Sequence, residues 1–289
     1  MEEHSIPDYE KLYIEEKNRR NELEKENQNL LVKIKLLKNN QNKGEKDEVL
    51  LLMELFELNE RKEYNKLVDI FGEEACDGIM ILNINTKKEI LDISELCKAK
   101  GEFKADSMIE MKKTGFIYCI SIKSKNGANP AILNHTPRSA KVFNEGGILY
   151  DSIDSLDNIV MEYIEKREKK IIGEDTSIKT LESLNDTLME NKFMDVLTYF
   201  VFDGSGKGDS KCKANAIITY EGETITFIKC VSIEEKIEYI RTIYDRIIIS
   251  LRDKGMPKVI NDGCKKWVFN DSKMNGLIKY KGSLHIRMK

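Results

Sequence analysis

Two alternating runs constrain this chain more than any other stretch. Phe103 to Met111 has strand-like alternation, Phe116 to Lys123 reads as a second strand running back, and Lys112-Lys113-Thr114-Gly115 separates them. Strand-like runs on both sides of a short, Gly-containing break predict a β-hairpin. Side chains on a strand point to opposite faces in turn, so Ile117, Cys119, Ser121 and Lys123 share one face of the second strand. Asp106, Met108 and Glu110 share a face of the first. If the two faces coincide, Asp106 and Lys123 meet near one end of the hairpin.

The remaining patterns place the hairpin inside an α/β fold. Ahead of it, residues 49–71 read as a helix with apolar faces at Leu52, Leu55, Phe56, Leu58, Tyr64, Leu67 and Phe71, and Gly72 as its stop. Beyond it, helical patterns run over 153–170, 178–200 and 233–251. The segment 203–210 reads as a loop, and strands are expected at 214–220, 224–231, 265–269 and 277–287. Helices and strands in this order predict a central mixed sheet flanked by helices. No internal repeat is visible.

The first forty residues contain no glycine, and their single proline, Pro7, precedes the periodic part. Leu23, Asn27, Leu30, Ile34 and Leu37 follow a 4-3-4-3 spacing, which predicts a short coiled-coil helix over 1–40. With Leu23, Leu30 and Leu37 at d, Arg20, Asn27 and Ile34 fall at a. An Asn at one a position favours a parallel pair, because its amide is satisfied across a matching amide in register. A homodimer is the preferred reading, with packing of the helix onto its own domain as the alternative. Residues 41–48, polar and containing Gly44, read as a linker, and 49–289 as the α/β domain.

Composition enters through what it excludes. Apolar runs such as Val49 to Met53 fall far short of the ~18 residues of a spanning helix. The start, Met1-Glu2-Glu3-His4, lacks a basic and then apolar leader, so cytoplasmic or nuclear residence, not secretion, is expected. Six cysteines without a CxxC pair argue against a disulfide framework or a structural zinc site. Net charge is -3, yet residues 98–141 and 253–289 each hold nine Lys/Arg against three Asp/Glu. Such islands suit a surface that tracks phosphates, although a solvated lysine-rich face has the same composition.

At Lys104-Ala105-Asp106 and Ser121-Ile122-Lys123 the sequence resembles the metal-dependent nuclease superfamily named for the pattern PD-(D/E)XK, and within it the type II restriction endonucleases. The resemblance implies a restriction-endonuclease-like core, Mg²⁺ as cofactor with Mn²⁺ as a possible substitute, DNA as partner, and phosphodiester hydrolysis. Carried over residue by residue, Asp106 matches the metal-binding aspartate and Lys123 the motif lysine, with the Ile122 carbonyl a further metal ligand. Ser121 stands where the family more often has an acid, which leaves the metal one carboxylate short. Glu74 on the preceding segment is the candidate to supply it, with Glu73 or Glu110 as alternatives. These residue types suit the chemistry: Mg²⁺ takes oxygen ligands and keeps several waters, and a lysine beside it orients the attacking water.

The polar stretch that follows, residues 124–141, carries Lys125, Asn129, Asn134, His135, Arg138 and Lys141. Asn and Arg match adenine and guanine edges, and Arg, Lys, Ser and Thr grip phosphates, so these six are the candidate DNA contacts. The loop Gly204 to Ser210 departs from a phosphate-binding loop, because Gly208 stands where Ser or Thr should follow the lysine. On the last strand His285 and Arg287 share a face, turned to solvent or phosphate; Trp267 reads as core. Two rival readings remain: a catalytically inactive DNA-binding protein that keeps the fold, and a coiled-coil interaction protein with no nucleic-acid role.

Overall fold

The structure, a computed structural model, describes residues 9–38, 43–96, 99, 102–124, 131–134, 141–173, 175–222, 224–252, 268–270 and 281–289. In chain order the main elements are α1 (Tyr9–Lys38), α2 (Lys43–Glu60), α3 (Tyr64–Phe71), β1 (Ile79–Leu82), β2 (Ser107–Met111), β3 (Ile117–Ser124) and β4 (Ala131–Asn134). Then come α4 (Ile153–Glu168), β5 (Thr176–Ser177), α5 (Thr187–Thr198), β6 (Gly204–Ser205), β7 (Gly208–Asp209), β8 (Ala216–Glu221) and β9 (Thr224–Lys229). The chain closes with α6 (Ile233–Ile243), β10 (Ile247–Arg252), β11 (Val268–Asn270) and β12 (Lys281–Met288). No helix among the described residues is long and apolar enough to cross a membrane.

The alternating runs form the expected hairpin. β2 and β3 pair antiparallel with Met108 opposite Cys119 and Glu110 opposite Ile117, so the two faces do coincide. Gly115, at φ +69°, supplies the left-handed turn residue between them. Among the described residues the hairpin lies within a mixed sheet of order β1-β2-β3-β8-β9, antiparallel throughout except for the parallel β3–β8 pair. Helices α2 and α3 cover one face, where Leu51, Leu55, Leu67 and Phe71 pack on Ile79, Ile109, Ile120 and Ile218. Odd-numbered residues of β3 look the other way, toward a small cluster of Leu82, Ile84, Ala105 and Met108. A second sheet, β11-β12-β10-β5 with β4 also on β12, belongs to the larger core built by α4, α5 and α6.

Several expected boundaries move, each for a local reason. The helix expected over 49–71 is two helices, broken where Lys62 adopts φ +57°. Residues 43–48, read as linker, begin α2, and Asp47 is buried where Ser124 Oγ donates to it at 2.5 Å. The 178–200 pattern yields two 3₁₀ turns before α5, which ends in a π turn at Tyr199–Asp203. The 203–210 loop contains the β6–β7 hairpin. The helix expected to reach residue 251 stops at Ile243; the β-branched run Ile247-Ile248-Ile249 instead pairs with β12 and β5. Of the strands expected at 265–269 and 277–287, Val268–Asn270 and Lys281–Met288 are strand and the earlier residues, Trp267 among them, lie outside the described residues; His285 is only 2% exposed, turned neither to solvent nor to phosphate.

Helix α1 packs onto the domain through Lys25, which pairs with Glu60 at 2.5 Å, through Asn29, which donates to Glu57, and through Val32. Leu23, Leu30 and Ile34, on the opposite side of the helix, are 51%, 50% and 44% exposed. The alternative of packing on its own domain is therefore realised by a different face from the heptad stripe. That stripe is left uncovered.

Candidate active site

Strand β2 begins one residue after Asp106, and the ladder with β3 is extended beyond that start by Asp106 itself. Its backbone N–H donates to the Ile120 carbonyl at 2.8 Å. Its carboxylate Oδ2 then accepts the next N–H on that edge, from Ile122, at 2.7 Å. The same oxygen accepts the Ser121 hydroxyl at 3.2 Å, and Ser121 Oγ accepts from Lys123 Nζ at 2.7 Å. Asp106, Ser121 and Lys123 thus form a continuous chain on one face of the sheet, with Ser121 only 1% exposed at its centre. Residues two apart on a strand share a face, so Ser121 and Lys123 are aligned by the backbone.

Glu74 does not join them. Its carboxylate accepts Tyr118 OH at 2.8 Å and Lys229 Nζ at 2.6 Å. Tyr118 packs with Ile120 and Ile122 against α2 and α3, so Glu74 stands on the face opposite Ser121 and Lys123. The Lys229 ammonium holds the Glu74 carboxyl below its ordinary value, against burial, and Tyr118 adds to the effect. Glu73 offers its backbone carbonyl to Lys113 at 3.3 Å on the hairpin turn, and Glu110 lies at the far end of β2 opposite Ile117.

Other residues that pattern reading missed assemble around Asp106. Lys104 lies near both Lys123 and Asp106; burial and then the Lys123 charge push its ammonium down to about 7, while Asp106 and Asp203 pull it up. Asp203 is paired with Lys236 at 2.8 Å. The run before Asp106 is pinned by a distant segment: Lys104 N–H donates to Ser210 Oγ at 2.7 Å, and Lys104 and Ala105 N–H both reach the Cys212 carbonyl at 3.1 Å. A cavity of about 280 Å³ opens beside this run, lined by Phe103, Lys104, Ser205, Lys207 and Ser210 among others. Asn215 aligns β8 with β3, its Oδ1 accepting Cys119 N–H at 2.7 Å and its own N–H donating to the Cys119 carbonyl at 2.9 Å. The one signal for Asn215 in the sequence is a polar residue immediately before an apolar strand.

The donor set fits a Mg²⁺ that keeps most of its waters, and does not make a closed protein cage. Asp106 Oδ1 accepts no hydrogen bond among the described residues, and the Ile122 carbonyl leaves β3 on the same edge as the Ile122 amide that meets Asp106. One carboxylate and a carbonyl, completed by water and a substrate phosphate, is a set Mg²⁺ uses. Among the described residues no three His, Cys, Asp or Glu side chains gather in a way that could hold a metal ion.

Of the six candidate DNA contacts, Lys125, Asn129, His135 and Arg138 lie outside the described residues. Asn134 is the last residue of β4, in register with His285, and Lys141 opens a short 3₁₀ turn on the surface. Comparison of the chain with known proteins finds no matching family model, curated protein or solved structure.

Proposed function

We propose that this chain is a Mg²⁺-dependent endonuclease that hydrolyses phosphodiester bonds in double-stranded DNA, a type II restriction-like enzyme acting as a homodimer. The observation that carries the reading is the Asp106–Ser121–Lys123 chain on adjoining strands of one sheet face. The mixed sheet flanked by helices agrees with the restriction-endonuclease-like core that the motif resemblance implies. In this reading Asp106 Oδ1 and the Ile122 carbonyl hold the ion. When bound, Mg²⁺ offsets the negative charge that develops on the phosphate oxygens.

The chain's own residues do the rest. Ser121 anchors Lys123 Nζ, leaving the ammonium's other N–H bonds to hold a water in line with the scissile phosphorus. The positive charge of Lys123 favours the hydroxide form of that water and the added charge of the transition state. Lys104 places a second amine beside the first, held near 7 by burial and the Lys123 charge, and a phosphate neighbouring the one attacked would favour its charged form. Lys125, Asn129, Asn134, His135, Arg138 and Lys141 belong to the segment that leaves this strand and are assigned to DNA contact. The exposed stripe of Leu23, Leu30 and Ile34 supports pairing of two chains, which would present two such sites to the two strands of one duplex.

Plasmid DNA incubated with Mg²⁺ and either wild type or Lys123→Ala tests the reading. Discrete fragments that disappear in the variant are expected; intact plasmid across a range of metals and salts overturns it. Ser121, in the place of an acid, favours one second reading, a DNA-binding protein that does not cut. That reading expects salt-sensitive DNA retention without cleavage, unchanged by Asp106→Ala. Absence of retention even at low salt points instead to an interaction protein with no nucleic-acid role.

A further inference from the structure

The loop 203–210, which departs from a phosphate-binding loop in sequence, is put to a different use by the fold. Gly204 to Asp209 turn back on themselves as the β6–β7 hairpin, with Lys207 in the turn. Gly204 lies against Tyr199, where a Cβ would meet the ring hydroxyl, so only glycine fits and the hairpin sits close on the domain. Ser210, next along the chain, ties this hairpin to the run before Asp106 by accepting the Lys104 amide at 2.7 Å. The hairpin and Glu102-Phe103-Lys104 thereby form two walls of the cavity of about 280 Å³.

The charges on these walls do not cancel. Two carboxylates line the cavity and both are matched, Glu102 by Lys211 at 2.8 Å and Asp209 by Lys213 at 2.9 Å. Lys104 and Lys207 line it as well, and among the described residues neither makes an ion pair. Lys104 is half-buried; it feels Asp106 and Asp203 but pairs with neither, and Asp203 is held by Lys236 at 2.8 Å. The Ser205 hydroxyl accepts the Lys207 amide at 3.2 Å and keeps its own proton to donate. Two amines without carboxylates of their own, facing one cavity with a free hydroxyl between them, suit an anion rich in acceptor oxygens.

We propose that this cavity is a phosphate subsite, in which Lys104 from one wall and Lys207 from the other grip a single phosphate group. Its identity as the strand phosphate next to the one attacked rests on the DNA reading above; the grip on phosphate does not. Lys104 links the cavity to the Asp106–Ser121–Lys123 chain, since it lies near both Asp106 and Lys123. The β6–β7 hairpin is then a second contact to the strand, far in sequence from residues 124–141. Phosphate contacts position a strand without reading its bases, so this wall contributes affinity and register, not sequence preference. A bound phosphate also holds Lys104 in its charged form, against burial and the Lys123 charge.

The test measures how fast each lysine of the full chain is acetylated by acetic anhydride near neutral pH, read peptide by peptide by mass. Samples at one ionic strength hold chloride alone, inorganic phosphate, or a short DNA duplex with EDTA so that nothing is cut. Lys104 and Lys207 should slow severalfold in phosphate and with the duplex, because the bound group covers the amines and keeps them protonated. Lys62 and Lys170, exposed elsewhere, should keep their rates in phosphate. Unchanged rates in phosphate overturn the site itself. A duplex that is retained in a gel shift yet shields neither amine overturns the assignment to the strand and leaves the DNA reading standing. A duplex that is not retained, beside slowing in phosphate, overturns the DNA reading and leaves a site for a free phosphate compound. Where the duplex binds, Lys207→Gln should also lower the steepness of log affinity against log salt by about 1, and Lys207→Arg should restore it. An unchanged slope in Lys207→Gln counts against the contact, and the wild-type map decides the matter if a variant fails to fold.

Discussion

The Asp106 carboxylate accepts the Ile122 amide at 2.7 Å, filling the place where a residue before Asp106 would have continued the ladder. An acid carried over as a metal ligand is therefore also a structural end-piece of the hairpin. Its two roles use different oxygens, Oδ2 for the strand and Oδ1 for any cation.

Removing that carboxylate has a structural cost separate from chemistry. Asp106→Ala leaves the Ile122 N–H and the buried Ser121 hydroxyl without their acceptor, a loss of about 1–3 kcal/mol. Asp106→Asn keeps an acceptor oxygen and should lose clearly less. Denaturant unfolding of the three proteins checks this through the midpoint at unchanged slope; equal midpoints would show that these bonds contribute nothing.

In a cleavage assay, Lys123→Ala and Asp106→Asn are each expected to slow the reaction on the order of 10²-fold or more. Glu74→Gln should stay within a few-fold of wild type, because Glu74 serves Tyr118 and Lys229 on the other face. Rates measured at saturating DNA separate the two groups. Equal losses in all three would restore Glu74 to the site.

Glu162 on α4 sets an acid limit to stability. Its carboxylate pairs with Lys166 at 2.8 Å and accepts the Glu182 and Ser183 amides at 2.6 and 2.7 Å, and the Ser183 hydroxyl. Burial raises its pKa, but these bonds outweigh it and pull the value down to about 2 from 4.5. A depressed folded-state value means a contribution fully present above about 4.5 and lost as the pH falls toward 2. Glu162→Gln should cost on the order of 2–3 kcal/mol at pH 7, and unfolding curves of the two proteins should converge near the acid end.

The exposed stripe on α1 gives a prediction about assembly. Leu23→Lys with Leu30→Lys should convert a dimer to a monomer in sedimentation. Domain stability should change by no more than about 0.5 kcal/mol, since both side chains already face solvent. A wild-type chain that sediments as a monomer at every concentration removes the pairing.

The hairpin was readable because period-two alternation needs only local information, and the register then brought Asp106, Ser121 and Lys123 together as alternation requires. Glu74 was misplaced because proximity along the chain does not say which side of a sheet a segment crosses. Lys104, Cys212 and Asn215 were not legible, since their roles come from segments that meet only after the fold closes. The start of α2 was hidden for a similar reason: a polar run with Gly44 reads as linker until Asp47 finds Ser124. The end of α6 was missed where apolar spacing suits either structure and β-branching at Ile247 to Ile249 decides the outcome.

The parallel union of β3 with β8 sets an order of events for the growing polypeptide. Parallel neighbours need a long crossover, and here everything from residue 125 to residue 215 must be synthesised before β8 arrives. Until then β3 keeps a bare edge, and the strand bearing Ser121 and Lys123 lacks the neighbour that fixes its far side. A chain interrupted anywhere in that interval would carry the motif residues and still expose a sticky ribbon, open to wrong pairing with other chains.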